Sequence, residues 1–463
     1  MKSGESLEIF IRFKQGDLQI LRESLLDESP KEAFAILLAK SEKVNGLRVI
    51  KVLDVKRAGV HDYQSQSKMR IELHKGFIRN VLVEATSRLD VDTIIDVHTH
   101  PFTEGRAWFS PMDDRDEMNF AKFVGEHFDL EYASIVFSQK SYTARLWQPG
   151  GRSGALSARL QTQTPIEVPH AFHQRSADSG EDTQRDFLDI GDRLNRSALA
   201  LGVESMRRIT GESPITLVGL GGIGSIISEH LVHMGFGHIN LIDPDHLEVS
   251  NLNRIVGVSY NDAVKGLPKV EVVKRHLLSI NPSAHIHSFS TGISDPEMEE
   301  VIARSAWVIV SSDTHSSRLA TQRISLKYFV PMISVGVGIE VGGDTIRDMS
   351  GEVITVRAGD GLCLSCLGRI DPTRIAHETH PDIEVRNALV KRGYVSGADV
   401  KDPAVKTLNA MVATMAVEIL VNQFTGRQRH RSVMIYENNG GMSIYEDRES
   451  IERRPKRCFS CDL

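Results

Sequence analysis

The chain has 463 residues, a formal charge of −6 and 41% hydrophobic content, which suits two or three globular domains with real cores. The near balance of 55 Lys and Arg against 61 Asp and Glu, with no basic block, leaves no electrostatic footprint for nucleic acid or a membrane surface. No stretch approaches the roughly 18 unbroken apolar residues of a membrane span, and the opening MKSGESLEIF lacks the basic and apolar regions of a signal peptide, so a cytoplasmic protein is expected.

Residues 1–150 read as a first domain. Pro30 to Ala39 puts the carboxylate of Glu32 just ahead of an apolar strand, and Val49 to Val55 reads as another strand. His74 to Leu89 has helical periodicity, Thr93 to Val97 reads as a short buried strand, and Met112 to Phe128 is again helical. At the end of the buried strand stands His98-Thr99-His100-Pro101, followed by Ser110-Pro111-Met112-Asp113. Two histidines at i and i+2 of extended chain point the same way, so one metal can take both; Asp113 completes a set of two His and one Asp, with a fourth position open for water. HxH alone is also met as a pair of ordinary strand histidines.

With a distal Glu, HxH and SxxD in order, this segment resembles the JAMM motif of the JAB/MPN metalloproteases. The resemblance implies that His98, His100 and Asp113 ligate a catalytic Zn2+, that Glu32 takes a proton from the bound water and that Ser110 helps to stabilise the oxyanion. Zinc brings the pKa of its water to roughly 7 and polarises the scissile carbonyl. This sequence departs from the pattern in two places: nine residues separate His100 from Ser110, a longer gap than usual, and Phe34-Ala35 follows the Glu segment. The extra loop, FTEGRAWF, lies beside the expected metal and is placed to restrict substrate access.

Residues 151–184 read as a linker: PGGRSG, a Thr/Gln/Pro-rich stretch and HQRSADSGED are polar and rich in turn formers, with mobility expected near 150–155 and 173–183. Residues 185–463 form the second domain. From Phe187 a helical segment carries Arg193 and Arg196, which on their own read as a solvated helix face. The apolar run Ile215 to Leu220 then enters the glycines Gly219, Gly221, Gly222 and Gly224, a helical stretch and a second apolar strand ending at Asp243 and Asp245. Such a strand, turn, helix, strand unit with an acid about 20 residues past its glycines is what a nucleotide-binding crossover needs. Its glycines admit a phosphate to the backbone, where the N–H groups opening the helix point at it.

The continuation DPDHLEVSNLNR is more specific. Gly219 to Ser225 and Asp243 to Arg254 resemble the GxGGxGS loop and DxDxVExSNLNRQ segment of the ThiF/MoeB superfamily, to which the ubiquitin-activating enzymes belong; Ile255 stands where the family usually has Gln. The resemblance implies an α/β fold in which a Rossmann-like ThiF adenylation domain with a four-cysteine zinc site follows the JAB/MPN α/β metalloprotease domain. ATP is the implied cofactor. Arg254, Lys269 and Mg2+ held by Asp313 would carry the positive charge around its phosphates, Asn251 would orient phosphate oxygens, and Asp245, with Asp243 close by, would meet the ribose hydroxyls. In the family an Arg on the helix ahead of the first strand serves the partner subunit's ATP site; Arg196 matches it, which implies a homodimer. The reaction implied is attack of a carboxylate on the α-phosphate of ATP, with loss of pyrophosphate and formation of an acyl adenylate.

The four cysteines fall into two CxxC pairs, Cys363 with Cys366 and Cys458 with Cys461. Two such pairs in a cytosolic chain read as a closed structural zinc site, against two unrelated pairs or a redox motif. That leaves no free cysteine for an acyl-enzyme in the segment Gly368 to Asp402, where Thr373 and Thr379 are poor unactivated nucleophiles. The joint expectation is one polypeptide that adenylates the C-terminal carboxylate of a ubiquitin-like β-grasp protein ending in Gly-Gly and cleaves peptide or isopeptide bonds after it, with a conjugating enzyme as a further partner. The alternative is activation and processing of a sulfur carrier for thiocarboxylate formation, with a sulfurtransferase as partner. A binding scaffold with dead sites is disfavoured by the completeness of both motif sets.

Overall fold

The computed structural model describes residues 7–461 except 104, 149–153, 164–190, 343–344, 383, 385, 387–403 and 429. Two compact units, Met1–Ser179 and Gly180–Leu463, divide the chain. Most of the segment expected to be a mobile linker therefore lies outside the described residues.

Among the described residues, the first unit is built on nine strands: β1 (Glu8–Arg12), β2 (Phe34–Val44), β3 (Leu47–Arg57), the hairpin of β4 (Tyr63–Gln66) and β5 (Ile71–Leu73), β6 (Thr93–Thr99), β7 (Glu131–Phe137), β8 (Tyr142–Trp147) and β9 (Ala155–Gln161). Three helices, α1 (Asp17–Leu26), α2 (Lys75–Ser87) and α3 (Pro111–Phe128), join them. All strands but the hairpin close into a barrel in the order β1-β3-β2-β6-β7-β8-β9. The strand β9 lies beyond residue 150; it pairs antiparallel with β8 and parallel with β1, and so completes the barrel from within the segment read as linker. Its exposed-to-buried alternation over only seven residues, set among turn formers, hides it in the sequence.

Strand β6 is buried along its whole length, between β2 and β7. Its two faces meet different cores, because side chains alternate along a strand. Ile95 and Val97 pack in a cluster with Leu18, Leu21 and Leu25 of α1. Ile94 packs with Val81 and Leu82 of α2 and Ala121 and Val124 of α3. The even-numbered residues of β6 are therefore on the α3 side, and this brings His98 to Asp113.

The second unit carries an eight-stranded sheet of β10 (Ile215–Val218), β11 (His238–Ile242), β12 (His285–Phe289), β13 (Trp307–Val310), β14 (Met332–Gly342), β15 (Thr345–Val356), β16 (Val433–Asn438) and β17 (Met442–Glu446). The order is β12-β11-β10-β13-β14-β15-β16-β17, parallel from β12 to β14 and antiparallel from there on. Helices α4 (Asn195–Leu201) and α5 (Val203–Ile209) precede the sheet; α6 (Gly222–Met234), α7 (Tyr260–Val264), α8 (Lys269–Ile280), α9 (Glu297–Ala303) and α10 (His315–Lys327) connect its parallel strands. After β15 come α11 (Pro372–Thr379) and α12 (Lys406–Thr425). Residues of α12 such as Leu408, Val412, Ala416 and Leu420 join the central cluster with Leu217, Ile309, Val335 and Val353 of the sheet. Chain order reverses between β10 and β13, and in such a sheet ligands collect at the carboxyl ends of the strands flanking the reversal.

Candidate active sites

In the first unit, Ser110 caps α3: its Oγ accepts from Asp113 N–H at 3.2 Å, and Asp113 Oδ2 accepts from Ser110 N–H at 2.6 Å. Pro111 at the first helical position supplies the fixed φ of a helix start. This box aims the Asp113 carboxylate at both histidines, with Oδ1 3.6 Å from His98 Nε2 and Oδ2 3.7 Å from His100 Nε2. Ligands about 2.0–2.2 Å from a tetrahedral zinc stand roughly 3.3–3.5 Å apart, so the three fit one ion after a shift of a few tenths of an ångström. His98 Nε2 is buried without a hydrogen-bond partner, as a nitrogen kept for a metal would be.

The electrostatics agree with a site built for positive charge. Burial opposes a charged His98, yet Asp113, Asp96 and Glu117 outweigh it and push the imidazole up to about 9. Burial and the neighbouring His98 take His100 down to about 4. Asp113 is held well below the usual carboxylate range, its burial outweighed by His98 and by Ser110. Glu32 is 7% exposed, and burial pushes it up to about 7, with His98 opposing and Asp113 adding to the rise. A carboxyl near neutrality is suited to move a proton at physiological pH.

Thr99, between the histidines, ties this acid to the strand: its Oγ1 accepts from Ala33 N–H at 2.8 Å and its N–H donates to Ala33 O at 3.2 Å. Glu32 N–H donates to Ser67 O at 2.9 Å, and Glu32 O accepts from Gln66 Nε2 at 2.9 Å, so the small hairpin holds it from the other side. In the extra loop, the rings of Phe102 and Trp108 lie 5.4 and 5.7 Å from His100, and both side chains are nearly half exposed.

Behind the metal-facing groups lies a polar network that the motif reading missed. Asp96 and Glu117 are buried, and each places a carboxylate oxygen within 4.8 Å of a His98 ring nitrogen. Glu117 Oε2 accepts from Ser134 Oγ, from Arg145 Nε at 2.9 Å and from Trp147 Nε1 at 2.9 Å. The Arg145 guanidinium also lies 3.7 Å from the Phe109 ring and reaches Asp114, which anchors the end of the extra loop to α3. One signal was available: Asp96 stands two residues before His98 in an otherwise apolar strand, on the same face.

In the second unit the glycines lie at the reversal. Gly219 has φ +93°, and a Cβ there would stand 2.7 Å from Ser312 N; a Cβ on Gly224 would stand 2.0 Å from Gly219 O. Packing demands both. A Cβ on Gly221 would meet nothing within 4 Å, so this glycine leaves backbone open at the start of α6. Asp243 is buried and accepts from Leu220 N–H and Asp245 N–H. Lys269 opens α8 and reaches Asp245 Oδ2 at 2.7 Å and Asp243 Oδ1 at 4.0 Å. Asn251 Oδ1 accepts from Glu248 N–H at 3.1 Å and braces the turn that carries Arg254. Arg254 donates to Ser250 O at 2.8 Å, and its stem packs 3.1 Å from a Cβ built on Gly222. Asp313 is exposed one residue past the Ser312 that packs on Gly219.

Arg196 stands apart from this group. On α4 it is exposed, while its neighbour Arg193 donates to Val232 O at 2.9 Å and Leu194 packs on Gly235. Both contacts are at the far end of α6, whose 13 residues separate it from the glycine loop by about 20 Å. No motif pointed to Glu378, whose oxygens accept from His315 N–H at 3.0 Å and Ser316 N–H at 2.7 Å, at the N-terminus of α10 just after Asp313.

Cys363, Cys366, Cys458 and Cys461 come together, their sulfurs within 4.8 Å of one another. At 3.6 Å, Cys363 and Cys458 are too far apart for a disulfide. Burial and neighbouring thiols push Cys363 up to about 12, and Cys461 is raised further by the same causes. Four thiolates this close need a cation to ionise together. Cys366 Sγ accepts from Cys363 N–H at 3.1 Å, a bond that favours the thiolate a zinc ion would take.

The family model of the ThiF family matches residues 194–459, and that for prokaryotic homologs of the JAB domain matches residues 14–148. The chain belongs to the ThiF family, with a JAB domain ahead of the ThiF domain. It is 31% identical to the molybdopterin-synthase adenylyltransferase of Escherichia coli over 38% of this chain and 68% of that protein. To the sulfur carrier protein ThiS adenylyltransferase of Bacillus subtilis it is 28% identical over 34% of this chain, which spans 44% of that protein. Among solved structures, it is similar to E. coli MccB with AMPCPP and MccA at 18% identity and a TM-score of 0.47, over 62% of this chain and 76% of that one. Among the described residues, no helix is long and apolar enough to cross a membrane.

Proposed function

We propose that the second unit uses MgATP to adenylate the C-terminal carboxylate of a small ubiquitin-like or sulfur-carrier protein, and that the first unit is a zinc (iso)peptidase acting on bonds formed by that carrier. The observation that carries the adenylation reading is the open backbone at Gly221, at the start of α6, with the Arg254 stem against Gly222 and Lys269 reaching Asp243, the acid that accepts from Leu220 N–H. The N–H groups that open a helix are an anion site, and the nearby cations favour charge that grows at the α-phosphate as the carboxylate attacks and pyrophosphate leaves. Asp313 would be the carboxylate for Mg2+, and Asp245 the acid for the ribose hydroxyls. In the first unit His98, His100 and Asp113 would hold zinc, which would supply an activated water and a polarised carbonyl when bound; Glu32 is the carboxyl suited to take up a proton, and Ser110 the hydroxyl for the oxyanion.

The product of the second unit is the free adenylate, because the sequence's four cysteines are all in one cluster and none remains to form a thioester. This favours carrier activation for sulfur transfer or for a separate conjugating enzyme over an acyl-enzyme. The test is carrier-dependent exchange of labelled pyrophosphate into ATP, with mass spectrometry of the carrier for the adenylate. Arg254→Ala and Asp313→Ala are expected to lower exchange by about 100-fold or more. Undiminished exchange in either variant sinks the assignment.

A further inference from the structure

Asp96 is 7% exposed and lies two residues before His98 on the same face of β6. The Tyr132 hydroxyl hydrogen-bonds its carboxyl, while Oδ1 is buried with no hydrogen-bond partner. No cationic side chain among the described residues forms an ion pair with Asp96, and its carboxyl lies within 4.8 Å of a His98 ring nitrogen. Glu117, the other carboxylate near His98, is differently placed: three donors already meet Oε2, and Arg145 Nη2 lies 2.8 Å from it. With His98 Nε2 turned toward Asp113, the remaining ring nitrogen, Nδ1, is on the opposite side of the ring.

We propose that Asp96 is the positioning residue of the metal-facing histidine: its carboxylate accepts the Nδ1–H of His98, fixes Nε2 toward Asp113 and His100, and so sets the affinity of this site for zinc. This rests on the reading of His98, His100 and Asp113 as a metal site. A histidine that ligates through one nitrogen is oriented by whatever holds the other N–H, and a carboxylate there also makes the ring a stronger donor. Glu117, on α3 four residues after Asp113, is already engaged by Arg145, Ser134 and Trp147.

The test uses the full chain labelled with 15N-histidine. The zinc equivalent of this site is identified as the one that His98→Ala removes, and its dissociation constant is measured by competition with a chromophoric chelator. Asp96→Asn is expected to weaken that equivalent roughly 10- to 100-fold with circular dichroism unchanged. In the zinc-loaded wild type, His98 should show an Nδ1–H proton signal, absent in His98→Ala and shifted upfield in Asp96→Asn. A folded Asp96→Asn chain with unchanged zinc affinity, or a wild-type His98 that carries its proton on Nε2, overturns the proposal while leaving the metal site standing. If Asp96→Asn does not fold, the wild-type tautomer decides. A His98→Ala chain that retains every zinc equivalent of the wild type overturns the metal reading, and this proposal with it.

Discussion

The backbone N–H of Leu220 donates to Asp243 Oδ2 at 2.6 Å, so an acid at the end of one strand shapes the glycine loop at the end of its neighbour. Oδ1 of the same carboxyl accepts from Asp245 N–H at 2.9 Å. Asp245, whose side chain is 64% exposed, is the acid of the pair left facing solvent. The two adjacent acids thus divide the work: Asp243 holds the loop, and Asp245 with Lys269 borders the space above it.

Asp243→Ala would leave two backbone donors without their acceptor, Leu220 N–H among buried groups, at a cost of about 2–4 kcal/mol. Asp245→Ala removes an exposed carboxylate from an ion pair whose lysine keeps Asp243 4.0 Å away, and is expected to cost less stability than Asp243→Ala, while raising the KM for ATP. Urea unfolding and pyrophosphate exchange on both variants check this; equal destabilisation by the two would contradict the division.

Two zinc equivalents per chain are expected in protein purified without chelator, one at each cluster. His98→Ala should lose one equivalent and the peptidase activity but keep adenylation. Cys458→Ser should lose the other and lower the melting temperature, because metal binding at a closed site contributes directly to folding. Elemental analysis of the three proteins reads this out, and a wild type with fewer than two equivalents counts against it.

A pH dependence follows from His430, which burial and the Arg357 guanidinium take down to about 4. Around it stand Gln423, Ser432 and Asp360, the last 3.9 Å from Nε2. The unfolded chain takes up this proton below its ordinary value of 6.5, and the folded chain only below about 4. The unfolded state therefore holds more protons in that window, and stability falls as the pH drops through it, by on the order of 2–3 kcal/mol. Melting curves of the wild type and His430→Gln should converge as the pH falls from 6.5 to 4. Glu32, raised by burial, contributes in the opposite direction, but it is common to both proteins, so the difference isolates His430. Parallel curves would show that His430 is not held neutral.

How far the sequence revealed these sites depended on whether a residue's role was local. The glycine loop, the acids after β11 and the capping box of Ser110 and Asp113 are each set by a few consecutive residues, and their patterns can be read directly. The strands β2, β3 and β6 and helices α2 and α3 likewise lie where periodicity puts them, within a few residues at the ends. Strand β9 did not, because its place depends on pairing with β1 about 150 residues earlier. Arg145 and Glu117 escaped for the same reason: as single charged residues in a strand and a helix they look solvated, and only the closed barrel buries them together against Trp147. Glu378 reaches the start of α10 from over 60 residues away, a relation no local pattern encodes.

Arg196 supplies the remaining prediction, a homodimer with shared sites. It sits on α4 beside the C-terminal end of α6, fixed there by the bond from Arg193 to Val232 O, while the phosphate-facing glycines are at the other end, about 20 Å away. An arginine side chain spans only a fraction of that distance, so Arg196 is out of reach of its own glycine loop, and the phosphate contact proposed for it would have to be made in a second copy. Closed twofold pairing is the commonest way for one chain to serve another and be served in return. Arg196→Ala and Asp313→Ala proteins, each inactive alone, are then expected to regain adenylation when mixed and allowed to exchange subunits, because one of the two sites in the mixed dimer has both residues. Random exchange of equal amounts puts half the molecules in mixed dimers, each with one intact site in two, so the recovered rate should be about a quarter of the wild-type value. A mixture that stays silent after exchange has been demonstrated, or a dilute monomer that still adenylates, would overturn the shared arrangement.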